Sequence, residues 1–420
     1  MNQVERHLIS SQHPLYKEVD RLCFLAKNLY NAVNYVIRQS FFEDCKAKRR
    51  VKVLSYETLD KQFQSQVDYQ ALPAKVSQQV LIHVCHDWKS YRQASLEYRR
   101  NPNLFLGEPK IPRYKDKQKG RSLLTYTAQA ISQKFLKKGI VKPSMADLKI
   151  KTKQKEIQQV RIVPKPQQNS YRVEIIYEQI GQTLNLFADR VAGIDIGLNH
   201  LAAVTSNLVE MKPHLVNGRP LKAINQLYHK EKAVLQAKLK PEQKTSRAIR
   251  NLAKKRYWRI ENYMHEASRG IIQLLEFYKI DTLVIGKNPN WKQKIELGKK
   301  NNQNFVSIPQ ARFIEMLEYK AKLSGIRMLL TEESYTSKCS FLDRESLESQ
   351  ETYLGKRVHR GLFRSAKGLV LNADVNGSLN IIRKVIPDAF DGLEGIEGVV
   401  VHPIRCSPSE LLLLGKFRTR

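Results

Sequence analysis

No two of the five cysteines (Cys23, Cys45, Cys85, Cys339, Cys406) are spaced Cys-x-x-Cys, and their number is odd. That argues against a disulfide framework and a cysteine-built zinc site. It points to a reducing compartment, most simply the cytoplasm. No apolar run approaches the ~18–20 residues of a membrane helix. The start, MNQVERHLISSQHPLY, lacks the long apolar stretch of a signal peptide. A membrane is therefore not an expected partner. The half from residue 191 onward has no GxxxxGK[ST] phosphate loop and no GxGxxG fingerprint, so no small-molecule cofactor is expected. Acidic residues are the scarcer charge. The 420 residues hold 40 Asp and Glu against 72 Lys and Arg, a net charge of +32. In a chain that is 42% hydrophobic, and so expected to fold, such an excess implies a polyanionic partner. Lys and Arg release condensed counterions when they meet phosphates.

The length fits two to three domains of roughly 150 residues. From Tyr16 to Phe42, Val19, Leu22, Ala26, Leu29, Val33 and Val36 recur at helical spacing. A second long helix starts at Leu72-Pro73, with Val76, Val80, Val84 and Trp88 on one face. The aromatics Phe24, Tyr30, Trp88 and Tyr91 read better as core than as base-stacking platforms. After Asn101 come Pro, Gly and a cluster of basic residues, Lys110, Arg113 and Lys115 among them. Short β-like runs follow, and QVRIVP and YRVEIIYE read as a hairpin. From residue 191 strands and helices alternate, which argues for an α/β layer. Between Lys230 and Arg259, seven Lys and four Arg stand against two Glu. So few acids leave little scope for helix ion pairs, and Lys254, Lys255, Arg256 and Arg259 are read as phosphate contacts. The Gly/Pro-rich stretch from 391 to 420 reads as a loosely attached tail.

Two acids stand out in the α/β half. Asp195, in GIDIGLN, ends a strand beside a tight turn. Asp374, in NADVNGS, opens a helix, where an acid can also serve as a cap. Either alone is more often structural. Together, in so basic a chain, they suggest a carboxylate cluster that holds Mg²⁺ and acts on phosphodiesters.

GIDIGLNHLAAVT resembles the first RuvC motif of the TnpB proteins of insertion sequences, the transposon-encoded relatives of type V CRISPR effectors. NADVNGSLNIIRK resembles their third motif. YTSKCS is similar to the segment entering their zinc ribbon, and LPAKVSQQVL and GEPKIPRYKDK resemble their N-terminal segments. The resemblance covers about residues 10–385. It implies a multidomain α+β protein: an N-terminal helical lobe, a β-barrel wedge domain and a C-terminal RNase H-like (RuvC) α/β domain. The expected boundaries are 1–15 for the first part of the wedge, 16–101 for the helical recognition lobe and 102–190 for the wedge barrel. The nuclease domain would span 191–390, with a degenerate zinc-ribbon-like insertion at 337–370, and a tail would follow at 391–420. The implied activity is RNA-guided DNA cleavage with Mg²⁺, or Mn²⁺ in its place. The implied partners are a transposon-derived guide RNA and a target DNA.

The sequence departs from the family pattern twice. The family's second RuvC motif ends its strand with Glu, but this strand reads Leu283-Val284-Ile285-Gly286-Lys287. The ribbon's four cysteines are reduced to Cys339, which His359 alone cannot complete into a tetrahedral site. No zinc is therefore expected. Two Asp hold a metal pair poorly, so a replacement acid should come from the next strand. IRMLLTEE ends in Glu332 and Glu333, whose side chains alternate. Glu333 is favoured because it faces away from Met328 and Leu330, read as core. Glu332 stays as the alternative. Two other functions compete with the active nuclease. One is a nuclease-inactive RNA-guided DNA-binding protein acting as a repressor. The other is a resolvase or transposase that works without RNA.

Overall fold

The computed structural model describes residues 2–49, 54–181, 189–287, 308–359 and 361–414. They fall into two compact units, 1–179 and 180–420. Among the described residues no helix is long and apolar enough to cross a membrane.

The first unit combines helices with a sheet. Strand β1 (Asn2–Ser10) leads into α1 (Tyr16–Lys46), followed by α2 (Tyr56–Phe63), α3 (Val67–Gln70) and α4 (Ala74–Arg100). On α1 the residues Val19, Leu22, Ala26, Leu29 and Val33 are buried, and on α4 Val76, Val80, Val84 and Trp88. Trp88 donates its indole N–H to Asn34 Oδ1 at 2.9 Å, which satisfies the ring's polar atom in the core. Tyr30 donates to Asp87. Phe24 lies under the Lys27 ammonium and the Arg121 guanidinium.

Next come β2 (Leu124–Thr127), α5 (Gln133–Leu136), β3 (Ile140–Val141), β4 (Ile150–Lys151), β5 (Gln159–Lys165) and β6 (Ser170–Glu178). One antiparallel sheet runs β1-β6-β5-β2, and β3 pairs with β4 apart from it. The hairpin read from QVRIVP and YRVEIIYE is β5–β6. Asn2 pairs with Glu178 and Ser10 with Ser170, so the chain start joins strands more than a hundred residues away. Among the described residues these strands do not close into the expected barrel.

The second unit is layered α/β. Its elements are β7 (Val191–Asp195), β8 (His200–Ser206), β9 (His214–Asn217), α6 (Arg219–Ala237), α7 (Arg247–Phe277), β10 (Thr282–Gly286), α8 (Gln310–Leu323) and β11 (Arg327–Thr331). Then follow β12 (Lys356–His359), β13 (Leu362–Arg364), β14 (Val370–Asn372), α9 (Ala373–Val385), α10 (Ile396–Val400), β15 (Ile404–Cys406) and α11 (Pro408–Leu414). The sheet order is β11-β10-β7-β8-β9-β15. Strand β8 is antiparallel to its neighbours, and the other five run parallel to one another. The C-terminal ends of β7, β10, β11, β9 and β15 therefore share one edge, where β8 begins.

Of the expected loose tail at 391–420, residues 415–420 lie outside the described residues, and the part up to 414 is held to the second unit. Ile404–Cys406 pairs in parallel with His214–Val216 and ends the sheet. Leu411 of α11 is buried against α7, where a Cβ on Gly270 would lie 2.6 Å from its own. A Ser407–Glu410 capping box starts α11.

The insertion at 337–370 keeps its shape through a buried acid. Glu345 accepts from the backbone N–H of Ser340 at 2.7 Å and of Leu354 at 2.8 Å, clasping two loops. Asn376 and Asn380 of α9 donate to the Cys339 carbonyl. The Cys339 thiol donates to the Ser346 carbonyl, and burial pushes its pKa up. Glu345→Gln should loosen this clasp by about 1.5–3 kcal/mol, since the amide can accept at one atom only. Hydrogen exchange at Ser340 and Leu354 measures it, and unchanged protection there would refute the clasp.

Candidate functional site

Asp195 ends β7, Gly286 ends β10 one strand away, and Glu333 lies just past the end of β11. Helix α9 packs across this edge, and two glycines allow the close approach. A Cβ on Gly193 would stand 2.5 Å from the Ser378 carbonyl oxygen, and one on Gly377 would stand 2.8 Å from Asp195 Oδ2. Gly377 thus leaves the Asp195 carboxylate room against the helix start. Asp374 lies in the first turn of α9, below an Asn372 cap that accepts from the N–H groups of Asp374 and Val375. The Nδ1 of His200, at the start of β8, lies 2.7 Å from Asp374 Oδ2.

A Cβ on Gly286 would fall 2.6 Å from both Glu333 Cγ and Glu333 Oε1, and 2.6 Å from Ile381 Cδ1. The Glu333 carboxylate therefore fills the volume that a side chain at the end of β10 would take. Glu332 points to solvent and accepts from the Ser334 hydroxyl. Of the two glutamates, Glu333 is the one turned to Asp195. The reason differs from the simple alternation in the sequence. Leu330, read as core, is 50% exposed, because β11 is an edge strand. A turn in which Thr336 N–H and Oγ1–H donate to the Glu333 carbonyl fixes the glutamate instead.

The electrostatics match this crowding. Burial pushes the Asp195 pKa well above the usual carboxylate range. The charges of Asp374 and Glu333 push it further, and Arg357 of β12 pulls it back. Burial raises Glu333 from 4.5 to about 7. Among the described residues no group of three His, Cys, Asp or Glu side chains closes on one point as a metal cage. The donor set nonetheless fits a hard divalent cation. It is all carboxylate oxygen, it is mutually repulsive without a counter-charge, and a glycine clears space for one of its members. His200 and Arg357 escaped the sequence reading. His200 lies inside the first motif, but its tie to Asp374 spans 174 residues.

The expected nucleic-acid residues separate into two groups. Lys110, Arg113, Lys255 and Arg259 are exposed, and Lys254 is half-exposed. Arg256 turns inward, its Nε donating to Asn225 at 2.6 Å and its guanidinium lying 4.9 Å from the Tyr228 ring, so it ties α6 to α7. Lys115 lies 4.2 Å from the Tyr30 ring, and burial lowers its pKa. The basic stretch from Lys230 to Arg259 is not one helix. It breaks between Ala237 and Arg247, around Pro241. Lys255→Ala with Arg259→Ala should flatten the slope of log K against log salt for nucleic acid by about one to two units. Arg256→Ala should mainly lower the melting temperature. A salt slope that moves only with Arg256 would reverse this assignment.

Residues 175–292 match a family described as probable transposase (OrfB_IS605). Residues 311–381 match one described as Cas12f1-like, TNB domain. The TnpB-like protein ORF457 of Acidianus two-tailed virus is 25% identical over 229 residues, 52% of this chain and 44% of that protein. The chain thus spans less than half the length of that relative. A solved structure titled as a Cas12f1–sgRNA–target DNA complex superposes with a TM-score of 0.54 at 14% identity. It covers 87% of this chain and 82% of its own. At that identity the likeness is one of fold.

Proposed function

The chain belongs to the TnpB family, and from that premise we propose that it is an RNA-guided DNA endonuclease with one active centre, Asp195, Glu333 and Asp374. The observation that carries this reading is the fit between Gly286 and Glu333: the Glu333 side chain, just past the end of β11, takes the space that a side chain at the end of β10 would fill. The sheet order supports it. With β7 to β11 as successive strands, the central β7 bears the first acid and β10 and β11 follow on one side. Such order suits an RNase H-like nuclease domain. In this reading residues 16–101 form the recognition lobe, and 1–15 with 102–190 form the wedge. The nuclease domain starts at 191 and includes the terminal strand and helix. The partners are a guide RNA and its complementary target DNA.

Asp195, Glu333 and Asp374 would hold Mg²⁺, with Mn²⁺ as a substitute. When bound, the metal activates water and stabilises the leaving oxygen of the phosphodiester. The chain's own part is placement. Gly377 and Gly286 admit two carboxylates into a crowded space. His200 and the Asn372 cap orient the third. The three carboxylates are half-buried, which screens their charges less than open water would. The repressor reading rested on the absent glutamate, and the position of Glu333 weakens that argument.

The test begins with the full chain purified from a host that carries its flanking transposon end. A discrete co-purifying RNA, identified by sequencing, is expected. DNA complementary to it should be cut with Mg²⁺ and left intact with EDTA. Discrete RNA and target binding with no cutting at any Mg²⁺ or Mn²⁺ concentration would replace the nuclease by the RNA-guided binder. Cutting without RNA would favour the resolvase class.

A further inference from the structure

A cavity of about 210 Å³ opens at the edge of the sheet that carries the acids. Its polar lining is His200, Asn217, Arg219, Arg405, Ser407 and Glu410. The topology explains the placement. His200 pairs with Asn217 across β8 and β9, and β9 and β15 end side by side in parallel. From β7 to β15 is three strand spacings, roughly 14 Å at ~4.8 Å each. His200 belongs to both places, since it lines the cavity and its ring bonds to Asp374. Gly218 lets the chain turn into α6 here: a Cβ would lie 2.6 Å from the Leu198 carbonyl oxygen.

The chemistry of the lining favours an anion. Arg219 and Arg405 are exposed, and among the described residues neither makes an ion pair. Glu410 is the acid of the group. Its Oε2 is taken up by the N–H and Oγ of Ser407 in the capping box. The Ser407 hydroxyl is committed to Glu410, which leaves two guanidinium forks and the Asn217 amide. Such a set suits a phosphate, which Arg binds through two parallel N–H bonds. The cavity is too small for a folded domain and open enough for a backbone to pass.

We propose that this cavity is a phosphate subsite for the single DNA strand being cut. Arg219 and Arg405 grip its backbone a few nucleotides from the scissile phosphate, and His200 ties the subsite to Asp374. The proposal rests on the nuclease reading and names the feature that leads the strand to its centre. The C-terminal strand β15 thereby becomes part of substrate binding as well as of the sheet.

The test uses the full chain with its co-purifying RNA and an Asp195→Ala substitution to prevent cutting. A labelled decamer of single-stranded DNA is titrated and followed by fluorescence anisotropy. Arg219→Ala with Arg405→Ala should weaken binding about tenfold and lower the salt slope by about two. Arg219→Lys with Arg405→Lys should keep the slope and lose about threefold, since Lys offers a point charge without the fork. Co-purifying RNA should be unchanged in amount. Unaltered affinity and slope in the double alanine variant would overturn the subsite. An RNA decamer that responds more strongly than the DNA would overturn its assignment to DNA. Failure of the nuclease reading looks different: Asp195-intact protein would never cut, while decamer affinity would still depend on the two arginines.

Discussion

Glu333→Ala should lower Mg²⁺-dependent cleavage by at least about a hundredfold, the loss of roughly 3 kcal/mol of metal-assisted stabilisation. Adding Gly286→Glu to that variant should bring a measurable part of it back. The argument is one of volume. A Cβ at position 286 meets Glu333 at Cγ and Oε1 and Ile381 at Cδ1, each at 2.6 Å. In the otherwise unchanged protein, Gly286→Ala should therefore cost about 1–3 kcal/mol of stability through overpacking. It should also displace the Glu333 carboxylate and slow cutting. With Glu333 truncated, two of the three contacts vanish and the strand can carry the acid itself. Ile381→Val removes the third by deleting Cδ1, and should raise the recovery further. Single-turnover cleavage of the guide-complementary DNA measures each variant, with guide RNA binding as the check on folding. A Glu333→Ala protein that cuts at the wild-type rate would end the displaced-acid idea. Alanine at Glu332 should leave the rate unchanged, because its carboxylate faces solvent and accepts from Ser334.

The parts of this site that the sequence reveals are those with local signals. Asp195 and Asp374 sit in motifs with their own turn and cap chemistry, so they could be named without coordinates. Glu333 could be reached by asking which strand follows β10. The supporting argument from Leu330 fails, however, because a sequence does not say which strand forms the sheet edge. His200 was out of reach. It gains its role from a hydrogen bond across 174 residues. The run Lys254-Lys255-Arg256 shows another limit. Adjacent residues on a helix point about 100° apart, so one of three similar cations can face inward, and here Arg256 meets Asn225 and Tyr228. Strand β15 has three residues, too few for any period to register. Its Gly/Pro-rich surroundings therefore read as tail.

Asp195→Asn should stabilise the metal-free protein at pH 8 while abolishing cleavage. In the folded chain Asp195 is half-buried near Asp374 and Glu333, and its pKa lies well above the ordinary value. Glu333 is raised from 4.5 to about 7. An acid with a raised folded pKa favours folding only while protonated. Its contribution is complete below the unfolded pKa and is lost as pH rises through the folded one. For Glu333 that window is pH 4.5 to about 7. The metal-free wild type should therefore melt at progressively lower temperature across that interval, and Asp195, shifted in the same direction, adds to the loss. Removing one of the repelling charges relieves it, and a gain of about 1–2 kcal/mol corresponds to roughly 3–6 °C for a unit of this size. Mg²⁺ should reverse the loss in the wild type at pH 8, because the deprotonated acids bind it. It should do little at pH 5, where protons compete for the same oxygens. At about a hundred times its dissociation constant the ion adds about 2.7 kcal/mol. Calorimetry in EDTA and in Mg²⁺, at pH 5 and pH 8, measures all four conditions without any cleavage readout. If the Asn variant melts below the wild type at pH 8 in EDTA, Asp195 is a structural acid and the charge-crowding account is wrong. Equal Mg²⁺ shifts at the two pH values would place the bound ion away from these carboxylates.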